Sequence, residues 1–267
     1  MESRRLKQEG CLEKAYPPLQ WWWDESEKVR PAHNELGQIS QKGEKMFVFG
    51  DVHSNVEILK ILIDKFGGEN LVSVGDLLDG SFGAAGSAEC VRLCREAGVS
   101  LVIGNHEAYP LYAGSDKELV ELWGEEWGSE TGSRIITEWN AIKALLSNED
   151  MDYLHSGKLF LQGDDWIVAH AKVAGDLDVG ELEIGKLTEK QVSFFDHTED
   201  WDQVVSYDGR YGQLYIGHTR WNKVGRQHNW GNVTLLDFNC KKGEAVGVAC
   251  TETGRTWSVS LDGVVEI

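Results

Sequence analysis

An α/β fold is the expectation for this chain of 267 residues, and three features carry it. Short apolar runs alternate with helical stripes between residues 46 and 103. Each of those runs ends in glycine followed at once by acidic, amide or imidazole side chains. Beyond about residue 211 only short strand-like runs remain. Strands and helices in strict alternation imply parallel strands joined by crossover helices.

The elements follow in order. Met46-Phe47-Val48-Phe49 is an apolar run closed by Gly50, the pattern of a buried strand. Residues 55–66 set Val56, Leu59, Ile63 and Phe66 on one helical stripe, and Leu71–Val74 forms the second strand. Residues 87–97 read as the second helix, closed by Gly98, and Val99–Ile103 as the third strand. Residues 116–147 read as helical. Leu159–Leu161 and Trp166–Ala169 read as strands about the turn Gly163-Asp164-Asp165. Leu214–Ile216, Val233–Phe238, Ala245–Ala249 and Trp257–Ser260 complete the strands.

Residues 1–44 differ from this pattern. They hold three of the four prolines (Pro17, Pro18 and Pro31) and the run Trp21-Trp22-Trp23, which has no amphipathic period. An irregular N-terminal arm is expected there, acting as a packing strap or as a partner-binding patch. A single domain over residues 45–267 would follow it.

Composition limits the function. Lys and Arg number 26 against 44 Asp and Glu, a net charge of −18. Such a surface repels phosphate backbones and argues against non-specific nucleic-acid or anionic-membrane binding. An anionic substrate therefore requires a local reversal of sign. The five cysteines include no CxxC pair, which argues against a disulfide framework or a structural zinc site and fits a reducing cytoplasm. The charged start has no apolar segment behind it, and no run of ~18 apolar residues occurs, so neither a secretory signal nor a membrane span is expected.

The strand ends carry the chemistry. They read Gly50-Asp51-Val52-His53, Gly75-Asp76-Leu77-Leu78-Asp79 and Gly104-Asn105-His106-Glu107. Two later strands end at His170 and in Gly217-His218-Thr219. Ligand sites of open α/β sheets lie beyond the carboxyl ends of the strands, so these groups are expected at one edge. Glycine there permits sharp turns and close backbone approach. Carboxylate, amide oxygen and imidazole without thiolate suit Mn, Fe or Zn better than an all-oxygen cage. The set suffices for two ions if one carboxylate is shared. Paired cations clamp a phosphate, generate hydroxide at neutral pH and would supply the missing positive charge.

Together GDVH, GDLLD, GNHE, the histidine of Val-Ala-His-Ala and GHT resemble the signature of the calcineurin-like metallophosphoesterases, over residues 46 to about 260. The spacing is most similar to the phosphoprotein phosphatases and the bacterial diadenosine tetraphosphatases. The resemblance implies a four-layer αββα sandwich of two mixed sheets with flanking helices and a dimetal site at the strand ends. It implies that Asp51 and His53 bind a first divalent ion, Asp76 bridges, and Asn105, His170 and His218 bind a second. Manganese is the first choice, with Fe, Zn, Ni or Mg as alternatives. A metal-bridging hydroxide would attack phosphorus, and His106 would protonate the leaving oxygen, held by Asp79. A phosphomonoesterase similar to serine/threonine protein phosphatases is the implied function. A dinucleoside polyphosphate hydrolase and a non-catalytic scaffold on the same fold are the alternatives.

A departure from that pattern bears on the substrate. The phosphatases continue GDxxD with an Arg that grips phosphate, whereas Gly80-Ser81-Phe82 follows Asp79 here. Arg220, Lys172 and Arg210 are the candidate replacements, with a plain surface charge as the competing role for Arg220 and Lys172. Trp123, Trp127 and Trp139 are expected to pack in the core or to stack on an aryl or nucleobase leaving group. Cys90 and Cys94, four apart on a helix, read as small core residues.

Overall fold

Two mixed β-sheets face one another. The structure, a computed structural model, describes residues 45–113, 117, 129–171, 182–183, 185, 191, 194, 211–220 and 229–267. The arm expected over residues 1–44 lies outside the described residues. The elements are β1 (Phe47–Phe49), α1 (Val56–Phe66), β2 (Leu71–Ser73), α2 (Gly83–Ala97), β3 (Ser100–Leu101), α3 (Asn105–Tyr112), α4 (Ser129–Lys143) and α5 (Asn148–Ser156). They continue with β4 (Phe160–Gln162), β5 (Trp166–Ala169), β6 (Gln213–Ile216), β7 (Asn229–Trp230), β8 (Val233–Leu235), β9 (Val246–Cys250), β10 (Thr256–Ser260) and β11 (Gly263–Glu266).

The first sheet runs β11-β10-β9-β1-β2-β3, with β1, β2 and β3 mutually parallel and β9, β10 and β11 added antiparallel. The second runs β4-β5-β6-β8-β7, with β5, β6 and β8 parallel and antiparallel edges. Side chains alternate across a strand, so each strand feeds two layers. Val48, Val72 and Ala249 of the first sheet cluster with Leu161, Val168 and Tyr215 of the second. Their opposite-parity neighbours Phe49, Leu71 and Val248 join Leu59 and Leu62 of α1 and Val91 and Cys94 of α2. Burial on both faces explains why these strands read as unbroken apolar runs. The α/β expectation and the two sheets with flanking helices agree.

Several boundaries differ from the sequence reading. Helix α1 starts as expected, with Asn55 Oδ1 accepting the Ile58 N–H at 3.2 Å. Helix α2 starts at Gly83, four residues before Ser87, because Gly83-Ala84-Ala85-Gly86 carry no apolar stripe. Gly86 is needed there, since a Cβ would lie 2.7 Å from the Ser54 carbonyl oxygen. Helix α3 was not anticipated. Its first turn is the polar run Asn105-His106-Glu107, which hides the helical period. Helix α5 was also missed, although Ser147 Oγ accepts the Asp150 N–H at 3.1 Å and Asp150 Oδ2 accepts the Ser147 N–H at 3.0 Å. That reciprocal cap is an S-x-x-D signal readable in the sequence. Of the helical region expected over 116–147, α4 covers 129–143, and 118–128 lie outside the described residues. Strands β7 and β11 add to those expected.

The parallel core places the carboxyl ends of β1, β2 and β3 beside those of β5 and β6. Gly217 N–H donates to the His170 carbonyl at 2.8 Å, tying the ends of β5 and β6 together.

Candidate metal centre

The site is built on strained turns. His53, Ser54, Asp76, Asp79 and His218 all have positive φ, between 46° and 61°, though none is glycine. Left-handed backbone at such residues costs about 1–3 kcal/mol each and persists only when the surroundings enforce it. The enforcing contacts are visible. The His53 N–H donates to the Asp76 carbonyl at 2.8 Å and the Ser54 N–H to the Leu77 carbonyl at 2.8 Å. Buried Glu107 accepts the N–H groups of Asp76, Leu77, Leu78 and Gly104, at 2.8–3.1 Å. Close approach also requires glycine at two strand ends. A Cβ on Gly217 would sit 1.9 Å from Asp51 Oδ1, and one on Gly104 would sit 2.2 Å from Asp76 Oδ1.

Imidazoles are oriented by the backbone. His53 Nδ1 faces the carbonyls of Leu78 at 3.1 Å and Asp79 at 2.9 Å. Nδ1 therefore carries the proton, and Nε2 turns its lone pair toward Asp76 Oδ2 at 3.6 Å and Asp51 Oδ2 at 4.0 Å. His170 repeats the device, donating from Nδ1 to the Val74 carbonyl at 2.9 Å. Its Nε2 then faces Asn105 Oδ1 at 3.0 Å and Asp76 Oδ1 at 3.3 Å. His218 Nδ1 lies 3.2 Å from Asn105 Oδ1, and the backbone N–H of His218 donates to Asp51 Oδ2 at 2.9 Å. Asp76 thus stands between two imidazole groups, one oxygen toward each. The six residues Asp51, His53, Asp76, Asn105, His170 and His218 converge on one place.

Burial makes this cluster electrostatically demanding. Desolvation and the neighbouring Asp237 push the Asp51 carboxyl up. Burial lowers His53 to about 3, which leaves a neutral imidazole. Burial also opposes a charge on His170, but the Asp76 carboxylate beside it wins and raises it to about 10. For Asp76 the same attraction, from His170 and then His106, outweighs burial and holds its carboxyl well below the usual range. Divalent cations would answer this crowding of buried carboxylates. Donor atoms of Asp76, His170 and His218 lie within 4.8 Å of one another, as do those of His53, Asp76 and His106. Mixed oxygen and imidazole donors at such spacing fit two ions sharing Asp76. In the second trio His106 stands where the sequence reading put Asp51. The His106 Nε2 lies 3.7 Å from Asp76 Oδ2, while its Nδ1 pairs with Asp79 Oδ2 at 3.0 Å.

That pair has further partners. Lys241 Nζ donates to the same Asp79 Oδ2 at 3.1 Å. Arg134 reaches Asp79 Oδ1 at 3.9 Å and Glu138 Oε2 at 3.6 Å. Burial favours the neutral form of Asp79, but the hydrogen bond and charge of His106, then Lys241, keep it ionised. Glu138 shows the reverse, raised to about 7 by burial and then by the Asp79 charge. A small cavity opens here, lined by Leu78, Asp79, His106, Pro110, Glu138, Trp139 and Ile142. Trp139 is 8% exposed and belongs to the core, in line with the packing alternative. Cys90 and Cys94 are likewise buried and free.

The candidate anion clamps fare differently. Arg220 is half-buried, and its charge acts on buried Asp237. Lys172 and Arg210 lie outside the described residues, as do Trp123 and Trp127. Sequence reading missed Glu107, Asp237, Lys241, Arg134 and Glu138. Glu107 had a local signal, an acid three residues after a glycine at a helix start. The others meet the site only through tertiary contact.

A comparison with curated protein sequences finds no significant match. Among solved structures, a "putative diadenosine tetraphosphatase" matches with a TM-score of 0.58 and 21% identity, over 86% of this chain and 100% of that one. A cold-active protein-tyrosine phosphatase from Shewanella sp. matches with a TM-score of 0.52 and 18% identity, over 94% and 90%. These similarities support the fold. The family model for calcineurin-like phosphoesterases matches residues 45–250. With that match spanning the whole constellation of strand ends, the chain belongs to the calcineurin-like phosphoesterase family.

Proposed function

We propose that this protein is a dimetal-dependent phosphomonoesterase. The observation that carries the reading is Asp76, with Oδ2 3.6 Å from His53 Nε2 and Oδ1 3.3 Å from His170 Nε2, next to the His106–Asp79 pair. Asp51, His53 and Asp76 would hold one divalent ion, and Asp76, Asn105, His170 and His218 the other. Manganese is the first candidate, and a reducing cytoplasm the expected location. When bound, such ions neutralise phosphate charge and lower the pKa of water.

The chain's own groups supply the rest. Asp79 accepts from His106 Nδ1 and so fixes the ring. His106 Nε2 lies 3.7 Å from Asp76 Oδ2, on the metal side of the ring. A proton held at that nitrogen is placed for the leaving oxygen of the ester. The carbonyls of Leu78, Asp79 and Val74 orient His53 and His170 and keep their Nδ1 protons in place. Residues 45–267 form the catalytic domain in this reading, with residues 1–44 as a preceding arm.

The test begins with chelator-stripped protein, reloaded with Mn²⁺, Zn²⁺, Mg²⁺ or Ni²⁺. It is then assayed on p-nitrophenyl phosphate, its bis-ester, a phosphopeptide and diadenosine tetraphosphate. Two bound ions and restored monoester hydrolysis are expected. Preference for diadenosine tetraphosphate would replace the monoesterase reading with the polyphosphate hydrolase. Stoichiometric metal binding without turnover of any ester would overturn the enzymatic reading in favour of a scaffold.

A further inference from the structure

We propose that Lys241, carried by the turn between β8 and β9, is the cation that grips the substrate's terminal phosphoryl group beside His106. This rests on the phosphomonoesterase reading of the same site. The net charge of −18 and the buried carboxylates make an anion unwelcome unless cations face it, and a protein cation would add to the pull of the two metal ions. Lys241 Nζ stands 3.1 Å from Asp79 Oδ2, the oxygen that also faces His106 Nδ1 at 3.0 Å. The ammonium and the His106 imidazole thus share one carboxylate oxygen, which sets the cation beside the general acid. The side chain is 33% exposed, open to a ligand yet held. Arg134, by contrast, is 61% exposed and divided between Asp79 and Glu138.

The turn is built to present this lysine. Asn239 and Gly243, both left-handed, bracket residues 240–242. Asn239 N–H donates to Asp237 Oδ1 at 2.8 Å, and Cys240 is buried beneath. Ser81 Oγ then donates to the Lys241 carbonyl at 2.8 Å. The segment after Asp79 carries no cation of its own, but it latches the turn that does. Lys241 is a point charge rather than a fork, so it answers charge more than shape. A terminal phosphoryl dianion gains more from it than a diester monoanion.

Calorimetry with inorganic phosphate on the manganese-loaded full chain tests this, for the parent, Lys241→Met and Lys241→Arg. Lys241→Met is expected to weaken phosphate binding about tenfold, with Lys241→Arg recovering most of it and metal content unchanged. In steady state, KM for p-nitrophenyl phosphate should rise about tenfold in Lys241→Met. The bis-ester, which shares His106 and Asp79 but lacks the dianion, should change less than threefold. Phosphate affinity within twofold of the parent, or equal losses on both esters, would overturn the clamp. So would a parent that binds no phosphate. A parent that binds phosphate through Lys241 yet hydrolyses neither ester would sink the monoesterase reading and leave the clamp standing.

Discussion

The backbone N–H of Asp76 donates to Glu107 Oε2 at 2.8 Å, across 31 residues of sequence. The Glu107 side chain therefore anchors the Asp76 backbone. Asp76 faces the imidazoles while Glu107, wholly buried, holds the turn that aims it. Glutamine at 107 keeps the size but turns one acceptor into a donor aimed at N–H groups. Glu107→Gln should cost about 2–4 kcal/mol of unfolding free energy, the scale of leaving buried donors unpaired. It should also lower metal stoichiometry, read by denaturant melts and elemental analysis. A variant with parental stability and two bound ions would show that the turn holds without Glu107.

How far the sequence carries varies along the chain, for physical reasons. The strand ends are legible because apolar runs buried on both faces stop abruptly at Gly50, Gly75 and Gly104, and the ligand-type residues follow at once. His170 and His218 are legible for the same reason. Helix α3 is not, because its first turn spends its residues on chemistry and shows no apolar stripe. Lys241 leaves no local trace at all: it meets Asp79 from 162 residues away, on the turn between β8 and β9. Arg220, chosen for its two-residue spacing from His218, is half-buried and its charge acts on Asp237. Local spacing finds groups that one strand end presents, and misses those that a distant turn brings in.

His106 and Asp79 should be separable from the metals. His106→Ala removes the proton held beside the leaving oxygen but none of the six candidate ligands. Monoester turnover should fall about 10²–10⁴-fold, the usual worth of a positioned acid. Metal content should stay at two ions. Asp79→Asn should fall less, because the amide oxygen can still accept from Nδ1. If His106→Ala lost an ion, the imidazole would belong to the coordination sphere and Asp51 would need another role.

Gly217→Ala probes the approach of β6 to Asp51. The added methyl would fall 1.9 Å from Asp51 Oδ1, and 2.5 Å from Val74 Cγ2. One of them must shift, at about 1–3 kcal/mol for an overpacked site. Since Asp51 also accepts the His218 N–H, the carboxylate and that histidine should move together. Metal affinity should drop by at least tenfold while the fold remains cooperative. An unaltered metal titration would mean that Asp51 is not a ligand.

Glu138 should leave a signature in the pH dependence of stability. Burial, then the Asp79 carboxylate, raises its carboxyl from 4.5 to about 7, while Arg134 and Lys241 pull it back. The folded protein therefore keeps this proton up to about pH 7, whereas the unfolded chain releases it near 4.5. A raised carboxyl favours folding least where the unfolded form is ionised and the folded one resists. Its penalty is absent below pH 4.5, grows as pH rises through the window, and levels off above about 7. Glu138→Gln mimics the protonated form and carries no such penalty. The variant should therefore gain on the parent between pH 4.5 and 7 by at most roughly 3 kcal/mol, at ~1.4 kcal/mol per unit. Parallel urea melts at fixed manganese, taken across that range, read the difference directly. A difference that stays level from pH 4.5 to 8 would mean that Glu138 titrates as an ordinary carboxyl and exerts no pressure on Asp79.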